Sequence, residues 1–159
     1  AHADEIVREG RFQVIWQTGK YYEREMDEFM RGRDARGIWR GAFIERMDLA
    51  YAAADIVVAR SGAGTVSELC LVGKAVVFVP SPNVAEDHQT KNAMALADRG
   101  AALVVPDREA VARVFSEAGR LLADDAMRSE MEKNIRALAV ADSADRVADE
   151  ILKVVKRSE

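Results

Sequence analysis

Cysteine occurs once in the 159 residues and histidine twice. A single cysteine leaves no disulfide framework, and two histidines with no paired ligand spacing argue against a dedicated metal site. No apolar run reaches the roughly 18 to 20 residues needed to span a bilayer, and the amino terminus lacks the charged-then-apolar order of a signal peptide. Basic residues are not in excess: 23 Lys and Arg face 27 Asp and Glu, a formal net charge of −4, which excludes a general nucleic-acid binder. The sequence also has no internal repeat, low-complexity segment or linker. What remains is 49% apolar and 31% charged, the profile of one globular domain over residues 1–159 with a core of its own. Cys70 sits in the apolar run Leu69-Cys-Leu-Val72 and reads as a buried structural thiol, compatible with a reducing, cytoplasmic setting.

The chain is organised around Asp55-Ile-Val-Val-Ala-Arg-Ser-Gly-Ala-Gly-Thr-Val-Ser-Glu-Leu69. Ile56 to Ala59 is a short β-branched strand, Ser61-Gly-Ala-Gly64 a tight turn, and Thr65-Val-Ser-Glu68 has the form of a capping box opening a helix. A strand feeding a helix through glycines makes an anion site: the first helical N–H groups lack partners, the helix dipole is positive there, and glycine admits close approach.

Around this centre strand and helix alternate. Residues 12–17 read as a buried strand, 21–31 as a helix with Met26, Phe29 and Met30 inside, 35–40 as a second strand and 46–54 as a short helix. Gly73 is placed to end the central helix; 75–79 is a strand stopped by Pro80, and 81–86 a loop. A helix over 87–99 closes at Gly100, a last strand covers 101–105, and helices follow over 109–122, 125–139 and 143–156, with Asp124 and Ser143 as caps. Five strands alternating with helices predict an α/β, doubly wound parallel sheet whose ligands bind beyond the carboxyl ends of the strands. The first ten residues favour helix but carry no start signal, as though the chain began midway through one. In a sheet ordered 3-2-1-4-5-6 the strand expected before Ala1 would be the central one. Its absence predicts a gap between the strands at Val14 and Val57, filled by a strand from elsewhere or closed directly, because strand edges do not stay unpaired in a core.

Three carboxyl-end loops then share one rim: Gln17-Thr-Gly-Lys20, Arg60-Ser-Gly-Ala-Gly-Thr65 and the segment from Pro80 to Gln89. None is a G-x-x-x-x-G-K-[ST] loop or a full G-x-G-x-x-G fingerprint. Glu68 is either the capping partner of Thr65 or a carboxylate for a ribose diol, since an acidic side chain accepts two hydroxyl hydrogen bonds well. His88, Gln89 and Asn92 lie on the first turns of one helix, either meeting solvent or facing a ligand. Trp16 and Trp39 read as core rather than a stacking platform, His2 as an exposed terminal residue, and the charges from Arg128 to Lys133 as a solvated helix face.

Taken together, Val14-Ile-Trp-Gln-Thr-Gly-Lys20, Met47-Asp-Leu-Ala-Tyr-Ala-Ala-Ala-Asp55, Arg60-Ser-Gly-Ala-Gly-Thr-Val-Ser-Glu68, Gly73-Lys-Ala-Val-Val-Phe-Val-Pro80, Asp87-His-Gln-Thr-Lys-Asn-Ala93 and Ser143-Ala-Asp-Arg-Val-Ala-Asp149 resemble the carboxyl-terminal domain of the MurG family of glycosyltransferases. The resemblance spans nearly the whole chain. It implies the Rossmann-like half of a two-domain GT-B enzyme with its first strand missing. That enzyme moves N-acetylglucosamine from its UDP donor to lipid I, giving lipid II for the peptidoglycan of the cell wall. It implies no cofactor and no metal, a donor-binding role for this domain, and an acceptor- and membrane-contacting amino-terminal domain, carrying the catalytic base, outside this chain. The full-length protein would sit peripherally on the cytoplasmic face of the inner membrane, and the chain alone would transfer no sugar. By the same resemblance Glu68 holds the ribose hydroxyls, and Ala63, Gly64 and Thr65 approach the diphosphate and ribose. His88 and Gln89 address the sugar, and Phe43 and Ile44 close on uracil. With Ser61, Gly62 and Asn92 these form the candidate substrate-binding set; no catalytic residue falls within the chain. Gly64 and His88 stand where some members carry a bulkier apolar residue and glutamine. Another GT-B enzyme, a UDP-sugar epimerase, and a non-catalytic interaction domain are the alternative readings.

Overall fold

A computed structural model describes residues 3–10, 12–82 and 87–156. Its elements run α1 (Ala3–Glu9), β1 (Val14–Gln17), α2 (Glu23–Met30), β2 (Ile38–Gly41), α3 (Met47–Ala53), β3 (Ile56–Ala59), α4 (Ala63–Val72), β4 (Ala75–Phe78), α5 (His88–Ala97), β5 (Leu103–Val104), a short 3-10 helix (Asp107–Glu109), α6 (Ala110–Ala123), α7 (Asp125–Arg136) and α8 (Ser143–Lys156). His2 and residues 83–86 of the expected loop lie outside the described residues.

All strand pairs are parallel, but the strands form two sheets, β1-β2 and β3-β4-β5. Val14 pairs with Ile38, Ile56 with Ala75, and Val77 with Leu103. The alternation of strand and helix gives the expected α/β architecture. Direct closure of β1 on β3 does not occur, because the two strands belong to different sheets. Nor is β1 the buried strand its sequence suggests. Its side chains alternate, and Ile15 is 45% exposed while Val58 of β3 is 46% exposed. A strand paired on one side in a two-stranded sheet has too little cover to bury both faces. Trp39 follows the same logic: it is 51% exposed rather than core, and Phe29 of α2 is also exposed, with the Arg33 guanidinium over its ring.

The core sits around β4, among the described residues the one strand with neighbours on both edges and every side chain buried. Alternation sends Val76 and Phe78 to one face, against Leu69 and Cys70 of α4, Ala93 and Leu96 of α5, and Ile135 of α7. Ala75 and Val77 point to the other, against Leu121 of α6, Met131 of α7 and Val105. Helices therefore cover both faces, and burying each large side chain contributes roughly 1.5–3 kcal/mol. From α6, Phe115 also meets Phe12 edge to face at 5.7 Å, so this helix spans from the three-stranded sheet to the approach of β1.

Two termini behave as expected. Gly73 ends α4 in the left-handed region, φ 70°, with its N–H donating to the Leu69 carbonyl, and Asp124 caps α7 by accepting from the Met127 N–H at 2.9 Å.

Candidate functional site

The turn after β3 is held from beneath. Arg60, the first residue past the strand, donates through Nη1 to the carbonyls of Val79 (3.1 Å) and Pro80 (3.2 Å) and to Asp107 Oδ1. One guanidinium thereby ties the end of β3 to the end of β4 and to the segment after β5. With the Arg60 side chain 53% exposed the ion pair itself is worth at most ~1 kcal/mol; its consequence is geometric. Ser61 is fully buried, and its hydroxyl donates to the Gln89 carbonyl at 2.8 Å. Asn92 Nδ2 donates to the Ser61 carbonyl at 3.1 Å, and Gln89 Oε1 accepts from the Ser81 N–H at 2.9 Å. The turn, the end of β4 and the first turns of α5 form one hydrogen-bonded unit.

On this platform α4 starts earlier than its sequence suggests. Gly62 is the N-cap, with extended backbone (φ −62°, ψ 150°) and no side-chain cap, so the helix opens at Ala63. Thr65 and Glu68 are consequently inside the helix, and the capping-box reading is overturned: Gly62, three residues past the end of the strand, reaches the cap geometry before Thr65 can. The first-turn N–H groups of Ala63, Gly64 and Thr65 carry no side-chain cap. A Cβ added at Gly62 or Gly64 would meet nothing within 4 Å, so packing does not demand glycine at either position. The space over the turn is open at the position of a Gly64 Cβ.

Freed from capping, the Glu68 carboxylate lies exposed and accepts from the Tyr51 hydroxyl at 3.1 Å. Tyr51 lies on α3, half-buried against the core cluster of Leu69 and Val76. Burial, and secondarily the neighbouring Glu68 charge, push its phenol up to about 12, so the hydroxyl keeps its proton at neutral pH. Burial likewise pushes the Cys70 thiol up, as fits an inert core cysteine.

Phe43 and Ile44 stand apart from this unit, in the loop after β2. Phe43 is 65% exposed, and the Ile44 N–H donates to the side-chain carbonyl of Gln17 at the end of β1, 3.0 Å away. The path from this loop to the turn is α3, which begins at Met47 and brings Tyr51 to Glu68. The structure thus gathers Ser61, Gln89 and Asn92 directly, sets Glu68 beside Tyr51, and leaves Phe43 and Ile44 on the other sheet. His88 opens α5 exposed. Sequence reasoning gave no role to Gln17, Tyr51 or Arg60. Only Arg60 carried a local signal, a cation directly after a strand and before a glycine turn. Among the described residues no group of His, Cys, Asp and Glu is arranged to hold a metal ion, and no helix is long and apolar enough to cross a membrane.

Residues 2–147 match the model of the glycosyltransferase family 28 C-terminal domain. The chain belongs to this family. It is 48% identical over 145 residues to a UDP-N-acetylglucosamine–N-acetylmuramyl-(pentapeptide) pyrophosphoryl-undecaprenol N-acetylglucosamine transferase of Parabacteroides distasonis, covering 91% of this chain and 39% of the relative. It is 49% identical over 152 residues to the transferase of the same name from Bacteroides thetaiotaomicron, covering 95% and 41%. The crystal structure of Acinetobacter baumannii MurG superposes with a TM-score of 0.77 at 30% identity, over 94% of this chain and 44% of that one. The chain therefore spans about two fifths of the length of the curated relatives it matches, and as a family 28 C-terminal domain it has the GT-B half-fold its motifs imply.

Proposed function

We propose that residues 1–159 form the UDP-sugar-binding domain of a hexosyltransferase that moves N-acetylglucosamine from UDP-N-acetylglucosamine to lipid I, giving lipid II. The observation that carries this reading is the disposition of α4: an uncapped N-terminus opening on a glycine turn, followed within two turns by an exposed carboxylate that the helix does not consume. The transferases to which the chain is similar, named for this donor and acceptor, supply the substrates of the proposal.

The diphosphate lies over the N–H groups of Ala63, Gly64 and Thr65, where the helix dipole favours negative charge. Glu68 accepts the ribose hydroxyls, Phe43 and Ile44 flank uracil, and His88 and Gln89 reach the sugar. Ser61, Gly62 and Asn92 give the turn its shape. For Ile44 to read the base through its N–H, the Gln17 amide must move aside; its carbonyl carries no such requirement. In the reaction the bond from the anomeric carbon to the diphosphate breaks with its electrons passing to UDP. A lipid I hydroxyl forms the new bond and gives its proton to a base outside this chain. Helix N–H groups aimed at the departing diphosphate stabilise charge that grows in the transition state. No cofactor is required. The protein acts peripherally at the cytoplasmic face of the inner membrane, contacts membrane and acceptor through another domain, and serves wall growth, cell shape and division.

Calorimetric titration with UDP and ADP tests the reading. Preference for UDP is expected, and equal affinity would point to a domain without this chemistry. Transfer of sugar to lipid I by the 159-residue chain alone would refute its assignment as a donor-binding half.

A further inference from the structure

We propose that Tyr51 is a positioning residue for the Glu68 carboxylate, holding Oε2 so that Oε1 is presented to the ribose hydroxyls of the bound nucleotide. The inference rests on the donor-site reading above and adds a residue that acts without touching the ligand. Glutamate is a flexible side chain, and an exposed one on a helix surface samples many rotamers. Fixing it costs side-chain entropy, which a ligand must otherwise supply. The Tyr51 hydroxyl removes much of that cost beforehand. It donates to Oε2 at 3.1 Å, and a carboxylate has no proton to return, so the direction of the bond is settled. The ring that carries the hydroxyl is half-buried against the core cluster around β4, giving the donor a rigid base. The same phenol keeps its proton well past neutral pH, so the bond persists wherever the protein works.

A second consequence follows from chain order. Tyr51 lies on α3, which begins three residues after Ile44. The bond from Tyr51 to Glu68 thus links the helix leaving the base-flanking loop to the helix that bears the ribose carboxylate, and sets the distance between those two parts of one nucleoside.

A purely structural bond tying α3 to α4 would look the same at rest, and ligand chemistry separates the two. In the protein at its native length, UDP and the dideoxy analogue lacking both ribose hydroxyls are titrated calorimetrically against the parent, Tyr51→Phe, Glu68→Gln and the double variant. The parent is expected to bind the analogue at least tenfold more weakly than UDP. Tyr51→Phe, which keeps the ring, is expected to weaken UDP binding about five- to tenfold, a fraction of a full charge-assisted bond, while leaving analogue binding unchanged. It should add no further loss in the Glu68→Gln background. Equal loss for UDP and analogue, or no loss for UDP, would overturn the role of Tyr51 while leaving the ribose role of Glu68 standing. A parent that binds UDP and the analogue equally would overturn the ribose assignment itself, and the positioning role with it.

Discussion

Replacing Glu68 by glutamine removes one charge from a side chain whose shape is kept, and the structure separates the two effects this can have. For stability, Glu68 is exposed, is not a cap, and lies beyond the first turn of α4, where the helix dipole has little effect. Its carboxylate accepts from the Tyr51 hydroxyl, and the glutamine carbonyl can accept the same hydroxyl. The expected change in unfolding free energy is therefore within ~0.5 kcal/mol, the scale of surface substitutions. For binding, a carboxylate accepting from ribose hydroxyls makes hydrogen bonds to a charged group, worth roughly 1.5–3 kcal/mol. At about 1.4 kcal/mol per factor of ten this is a loss of about 10- to 150-fold in UDP affinity. Calorimetric titration and thermal unfolding of the same preparations read the two numbers. Equal UDP affinity in variant and parent would refute the ribose role. An unfolding loss well above 1 kcal/mol would show that the carboxylate has a structural duty that the geometry of α4 denies it.

Gln89→Ala is expected to lower discrimination between gluco and galacto donors in the protein at its native length, because an unpaired polar group is what rejects the wrong hydroxyl; unchanged selectivity would leave Gln89 only its bond to the Ser81 N–H. Gly73→Ala should cost at least ~1 kcal/mol in denaturant unfolding, since φ is +70° and the new Cβ would strike the Arg136 guanidinium; an unchanged midpoint would contradict that geometry. The Tyr51 phenol is raised from 10.0 to about 12, so above pH 10 the unfolded chain releases this proton first and stability falls as pH rises through that window. Tyr51→Phe should remove the corresponding late step from the tyrosinate absorbance titration, and an unaltered curve would count against the buried, charge-facing environment. Cys70, 5% exposed and with its thiol pushed up by burial, should resist alkylation until the protein unfolds; rapid labelling of the native protein would contradict its place in the core.

Where a signal is local the sequence is a good guide. The run of β3 reads as Ile56–Ala59 to the residue, because three β-branched residues and an alanine between an alanine-rich helix and a glycine turn favour strand over helix. Gly73 ends α4 because nothing else nearby tolerates a left-handed backbone. Thr65 misleads for a related reason. Threonine and glycine both cap, and which one does depends on where the strand releases the chain; a T-x-x-E pattern alone does not record that. Trp39 and Ile15 mislead because burial depends on how many strands flank β1 and β2, a property of the assembled sheet. Tyr51 and Gln17 bond to partners 17 and 27 residues away, and no spacing rule links such positions. Their roles become legible only once α3 has been laid beside α4, and β1 beside β2.

The candidate site residues divide by burial in a way that bears on the proposed donor role. Ser61 is fully buried, Gln89 and Asn92 are half-buried, and their hydrogen bonds run to one another or to backbone. These part-buried bonds tie the turn to the end of β4 and to α5, so the turn resists deformation. Glu68 on α4 and His88 at the start of α5 are exposed, as is Phe43 in the separate loop after β2. A nucleotide diphosphate needs both properties at once: N–H donors that do not relax as charge builds on the departing phosphate, and side chains free to close on base, ribose and sugar. Arg60 supplies the first by tying three strand ends together from below. Tyr51 contributes to the second by ordering one of the exposed groups without burying it. On the proposed donor role, the rigidity lies where the ligand's charge would change during the reaction, and the adaptability where its shape would be recognised.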